Sequence, residues 1–194
     1  MKDFGSKSIH FLDTLNKVRD LIQITSPENV FVPLKEALDQ CGELLKRCHQ
    51  KKRKLIFIGN GGSAAIASHQ AIDYWKNGRI RAIAFNDSSL LTCIANDYGY
   101  DRVFVEPLKM FSEPEDILIA VSSSGKSQNI IQAVHMAQNL NLKVFTLSGF
   151  EASNPLRGMG DINFYIPSFN YGIVEVSHLS ILHSLLDSLE IEHV

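Results

Sequence analysis

Residues 54–69 read Lys-Leu-Ile-Phe-Ile-Gly-Asn-Gly-Gly-Ser-Ala-Ala-Ile-Ala-Ser-His. The apolar residues Leu55 to Ile58 run without a polar break and end on a glycine-rich turn. That is the pattern of a short strand buried on both faces, as in a parallel sheet. From Ser63 to about Trp75 the chain reads as a helix. Downstream the same alternation continues. Strands are predicted at Ala82–Phe85, Asp116–Val121, Lys143–Leu147 and Ile162–Ile166. Between and after them come helices: one capped by Asp87 or Ser88 and running to about Ala95, then Val103–Phe111, Ser127–Leu140 and Glu175–Leu189. Strands alternating with helices imply an α/β fold, a five-stranded parallel sheet flanked by helices.

Upstream the rhythm is different. Ile9, Leu12, Leu15, Val18 and Leu21 recur every three residues, a helical stripe, and Thr25-Ser26-Pro27 breaks it. A second helix is predicted from about Pro33 to His49, with Leu34, Leu38, Cys41 and Leu45 on one face. Residues 1–50 are therefore an N-terminal helical extension for packing or oligomerisation, and residues 51–194 form the main domain. No internal repeat, low-complexity segment or linker divides the chain.

Composition narrows the function classes. The 194 residues are 45% hydrophobic and 21% charged, with a net charge of −2. No basic field is available to gather nucleic acid, so no nucleic-acid partner is expected. The run Lys51-Lys52-Arg53-Lys54 reads as a solvated lead-in to the first strand. Three cysteines without a Cys-x-x-Cys pair argue against a disulfide framework, and Cys41 and Cys48 read as buried small hydrophobes. The N-terminus lacks the apolar centre of a signal peptide, and no stretch approaches the ~20 apolar residues that span a bilayer. The expected location is cytoplasmic, with no membrane partner.

Two loops carry the chemistry. In a doubly wound sheet, ligands bind beyond the carboxyl ends of the strands. Gly59-Asn60-Gly61-Gly62-Ser63 follows the first predicted strand, and Ser122-Ser123-Ser124-Gly125-Lys126-Ser127 follows the third. Glycines let backbone N–H groups approach an anion, and each following helix offers its positive end. Serine hydroxyls donate to phosphate oxygens, and Lys126 can add positive charge beside them. The strict dinucleotide template Gly-x-Gly-x-x-Gly, started at Gly59, meets Ala64 at its sixth position. A looser form admits alanine but leaves the serine loop unexplained. The Walker phosphate loop is absent because no glycine precedes Gly125-Lys126-Ser127 at the required spacing. No nucleotide cofactor is expected; two serine- and glycine-rich turns of matching topology point to a sugar phosphate.

Gly59-Asn60-Gly61-Gly62-Ser63-Ala64-Ala65 with His69, then Asn96-Asp97-Tyr98-Gly99, then Ser122-Ser123-Ser124-Gly125-Lys126-Ser127, resemble the sugar isomerase (SIS) domain family, closest to its phosphoheptose isomerase group. The resemblance covers roughly residues 30 to 190. It implies a homotetramer with active sites at subunit interfaces. It also implies conversion of sedoheptulose 7-phosphate to D-glycero-D-manno-heptose 7-phosphate, towards the heptose of bacterial surface polysaccharides. Carried over residue by residue, the substrate contacts are Asn60, Gly61, Gly62, Ser63, Asp97, Ser122, Ser123, Ser124 and Ser127. The catalytic pair is Asp73 and His183, and a metal set of His69, Asp73, Glu175 and His183 fits Zn2+ or a related divalent ion.

This chain departs from the family pattern at specific positions. Asp73 stands where the family has a glutamate base, one methylene longer, and Glu175 stands where it has a glutamine. Ile173 replaces an arginine, and Asn86-Asp87 replaces Thr-Asp. His69 and Asp73 are four apart, one turn along one helical face. Glu175 and His183 are eight apart, about 12 Å along a straight helix. They can share an ion only if Glu175 precedes the regular helix or if two subunits supply them. His178, five residues before His183, reads as a packing or hydrogen-bonding residue; His10, His49, His135 and His193 read as surface residues. A related sugar phosphate as substrate, and a non-catalytic SIS protein that senses a sugar phosphate, are the alternative readings.

Overall fold

The computed structural model describes residues 3–190; His193 lies outside them. In chain order the helices and strands are α1 (Phe4–Asn16), α2 (Val18–Leu21), β1 (Gln23–Thr25), α3 (Leu34–Gln50), β2 (Lys54–Gly59), α4 (Gly62–Lys76), β3 (Arg81–Ala84), α5 (Ser88–Tyr98), α6 (Val105–Phe111), β4 (Ile117–Ser122), α7 (Gln128–Asn139), β5 (Lys143–Gly149), β6 (Ile162–Ile166) and α8 (Tyr171–Asp187). Asp87 caps α5, its Oδ1 accepting from the N–H groups of Ser89 and Leu90 at 3.0 Å.

The strands form one sheet in the order β1-β6-β5-β4-β2-β3. Five are parallel, as the sequence predicts. The sixth is the correction: β1 pairs antiparallel with β6 at the sheet edge. Its three residues lie between a helical stripe and a proline, too short for period-2 alternation to show. The chain therefore enters the sheet before β2.

Alternate residues of β2 face opposite layers, as the pleat requires. Leu55 and Phe57 join the core formed with α3, α4 and α8, while Ile56 and Ile58 join the layer of α5, α6 and α7. Cys41 and Cys48 are buried in the first layer, as read. In contrast, the α1 stripe leaves Ile9, Leu12 and Leu21 exposed, and Val18 alone of the five is buried.

Lys54 also departs from its reading. Only 9% of its side chain is exposed, and its Nζ lies 2.7 Å from Oδ2 of the fully buried Asp116. Asp116 Oδ1 accepts from the backbone N–H of Lys54, and Oδ2 from that of Glu113. This pair ties the start of β2 to the start of β4. Those strands are adjacent and parallel, in register from Leu55↔Ile117 to Gly59↔Val121. Since β3 lies on one side of β2 and β4 on the other, strand order reverses between them. Their carboxyl ends thus form the switch-point crevice where α/β sheets bind ligands.

Candidate active site

Both predicted loops open into that crevice. β2 ends at Gly59, and α4 begins at Gly62 after Gly61, whose φ of 55° favours a residue without a Cβ. β4 ends at Ser122, and Ser127 precedes α7. Asn60, Gly61, Gly62, Ser63, Ser122, Ser123, Ser124 and Ser127 line a single cavity of about 260 Å³ with Tyr171 and Glu175. Ser123 Oγ is buried and has no hydrogen-bond partner among the described residues.

The cavity is braced from behind. Asn60 and Asn129 exchange two hydrogen bonds of 2.9 Å, and the Tyr100 hydroxyl donates to Asn60 Oδ1 at 3.2 Å. Asn129, Tyr100 and Tyr171 were not singled out from sequence, because each is an ordinary helix or turn residue until the chain brings it beside the glycine turn. Among the described residues no lysine, arginine or histidine lines the cavity. Lys126 points to Glu151, its Nζ 2.6 Å from Oε2, so its charge is matched outside the cavity. An anion here meets hydroxyls, the starts of α4 and α7, and the carboxylate of Glu175.

A second group lies further along α4 and α8. His69 Nε2 is 3.3 Å from His183 Nε2 and 3.2 Å from Asp73 Oδ2, and His183 Nε2 is 3.9 Å from the same oxygen. One ligand atom from each residue lies within 4.8 Å of the other two. Two imidazoles and a carboxylate at such separations suit a zinc-type ion with an open position. The helices are locked together beside them, the Tyr74 hydroxyl donating to the Leu182 carbonyl at 3.0 Å.

Glu175 does not join this group. α8 begins at Tyr171, four residues earlier than predicted, so Glu175 sits inside the regular helix. Its carboxylate lies over the start of α4 instead: a Cβ placed on Gly62 would stand 2.6 Å from the carboxyl carbon. Within one chain, His69, Asp73 and His183 come together and Glu175 faces the serines. Asp97, an exposed residue of α5, is not among the cavity-lining residues. Ile173 is buried in the core, pointing away from solvent. His10 and His135 are exposed and His49 is half-buried.

His178 is fully buried, its Nε2 3.1 Å from the Ser148 carbonyl. Burial pushes its pKa down from 6.5 to about 4, against a smaller opposing effect of the Ser148 carbonyl. The folded protein therefore binds this proton less readily than the unfolded chain, so stability is lost as pH falls from 6.5 towards about 4. His178→Gln should flatten that part of a Tm–pH profile; a profile unchanged from wild type would assign the acid sensitivity elsewhere.

The chain is similar in sequence and fold to known proteins. A family model described as the SIS domain matches residues 24–149. A phosphoheptose isomerase of Helicobacter pylori is 32% identical over 185 residues, covering 92% of this chain and 96% of its own. Phosphoheptose isomerase 1 of Campylobacter jejuni is 36% identical over 163 residues, covering 81% of this chain and 87% of its own. Among solved structures, the phosphoheptose isomerase GmhA of Neisseria gonorrhoeae superposes with a TM-score of 0.81 at 29% identity, covering 96% of this chain and 98% of its own.

Proposed function

The chain belongs to the SIS domain family, and from that premise we propose that it is a phosphoheptose isomerase, converting sedoheptulose 7-phosphate into D-glycero-D-manno-heptose 7-phosphate. One observation carries the reading. The serine-lined cavity and the His69–Asp73–His183 group stand at two levels of the same α4–α8 pair. His69 is seven residues beyond Gly62, on the same face of α4 and about 10 Å along it. A long sugar phosphate laid along the pair puts its phosphate among the serines and its carbonyl end at the histidines.

The chemistry needed there is proton transfer between C1 and C2. A base takes a proton from C1 while the C2 oxygen gains one, giving the enediol. Return of a proton to C2 and loss of the O1 proton then give the aldehyde. Asp73 is the carboxylate for the carbon proton, and His183 the imidazole for the oxygen proton. His69, beside both, orients them. His69, Asp73 and His183 are also the residues that would hold Zn2+, which when bound polarises the carbonyl.

The exposed Ile9 and Leu12 of α1 support assembly into a homotetramer through the N-terminal helices. Among the described residues no helix is long and apolar enough to cross a membrane. That fits a cytoplasmic enzyme working on a phosphorylated sugar, in the supply of heptose for surface polysaccharide. The direct test is incubation of the purified protein with sedoheptulose 7-phosphate, with and without added zinc, and detection of the aldose phosphate. Binding of the ketose with no aldose formed under either condition would overturn the isomerase and leave a sugar-phosphate sensor.

A further inference from the structure

We propose that Glu175 is a built-in competitor for the phosphate end of the site: its carboxylate rests over the start of α4, opposes the incoming phosphate, and moves aside when phosphate binds. The proposal rests on reading the serine-lined cavity as the phosphate end.

Placement is the first reason. The Glu175 carboxyl carbon would be 2.6 Å from a Cβ on Gly62, the first residue of α4. The side chain lines the same cavity as Ser122, Ser123, Ser124 and Ser127. Gly61, at the N-cap, supplies no side-chain hydrogen bond to the free N–H groups of that helix start. Such a helix start attracts negative charge, and the carboxylate is the negative group stationed there.

Charge is the second reason. Among the described residues Glu175 takes part in no ion pair: its neighbours in the cavity are hydroxyls, an amide and glycine backbone. The nearest cation of the serine loop, Lys126, is matched by Glu151. A phosphate dianion entering the cavity therefore meets an uncompensated carboxylate in a setting where like charges a few ångströms apart repel strongly. Freedom to move is the third. Glu175 is half-buried, so its two methylenes can carry the carboxylate out towards solvent without disturbing the core. The consequence is a phosphate affinity held below what the serines and helix starts alone would give, which favours release of a phosphorylated product.

The test is calorimetric titration of inorganic phosphate into the full chain, in EDTA so that no divalent ion bridges the two anions. Glu175→Gln keeps the shape and removes the charge. It is expected to bind phosphate about tenfold or more tighter than wild type, and adding Ser124→Ala should abolish the gain. Equal or weaker phosphate binding by Glu175→Gln, a gain that survives Ser124→Ala, or no binding by either protein overturns the proposal. Should Glu175→Gln fail to fold, crystals of the wild type with and without phosphate decide. A carboxylate displaced from Gly62 by phosphate supports the idea, and carboxylate and phosphate side by side at the start of α4 sink it. Phosphate affinity is read without turnover, so the two readings fail separately. An affinity gain without isomerase activity removes the substrate assignment alone, and turnover with unshifted affinity removes the competitor alone.

Discussion

Replacing His183 with alanine is expected to lower kcat on sedoheptulose 7-phosphate by about 10²–10⁴-fold, the usual contribution of a positioned acid–base group. KM should change little. His183 lies with His69 and Asp73, whereas the serines proposed to hold the phosphate line a separate cavity at the start of α4. An interaction used in the transition state and not in binding shows this split. Asp73→Asn keeps the side-chain shape but cannot take a proton, so it should fall comparably. Loss of its charge also leaves the imidazoles of His69 and His183 without their shared carboxylate. Steady-state kinetics on the three proteins, with circular dichroism as a check on folding, decides the matter. Turnover within about tenfold of wild type in His183→Ala would remove it from the chemistry. Turnover surviving Asp73→Asn but lost in Glu175→Gln would move the base to Glu175.

The largest effect on stability is expected at Asp116. Asp116→Ala removes the 2.7 Å partner of Lys54, whose side chain is 9% exposed, and leaves its ammonium with only the more distant Glu113 as counter-charge. It also orphans the N–H groups of Lys54 and Glu113. Glu113 is the remaining carboxylate near Lys54 Nζ, at 3.8 Å, too long to replace a 2.7 Å pair. Breaking a buried pair from one side costs about 3–5 kcal/mol. Denaturant unfolding at a fixed protein concentration measures it, since subunit assembly would make the midpoint concentration-dependent. A loss below about 1 kcal/mol would mean that Lys54 reaches water and that the pair behaves as a surface bridge. The double variant Lys54→Met/Asp116→Leu should recover only part of the loss, because apolar replacements remove both charge desolvation costs but leave the N–H groups of Lys54 and Glu113 unpaired.

The five parallel strands and the helices between them were legible because each has a local signature. β6 runs over Ile162–Ile166, as predicted, and Asp87 caps α5 as its position suggested. β1 was not legible: three residues cannot display a period, and their partner Phe164 lies some 140 residues away in the chain. The start of α8 was missed because Tyr171, Gly172 and Ile173 make no helical pattern by themselves; the Asn170 side chain, accepting from the Ile173 N–H, begins the helix. That shift decides the role open to Glu175, since it fixes the carboxylate inside the helix. The Lys51–Lys54 run looked solvated because the buried partner of Lys54 lies 62 residues on.

From sequence alone the glycine turn after β2 and the serine loop after β4 read as anion-binding turns, since backbone freedom and hydroxyl chemistry are properties of the residues themselves. Sequence also placed His69 and Asp73 on one helical face, because four residues make one turn. Tertiary structure decided the rest. Strand order set β2 beside β4 and so merged the two loops into one cavity. Packing of α8 on α4 brought His183 to His69 and Asp73, and left Glu175 over Gly62 among the serines. Those are distances between segments that lie 62 residues apart for the two strands and 114 for the two histidines, fixed by burial of apolar faces on a common sheet, which no local pattern encodes.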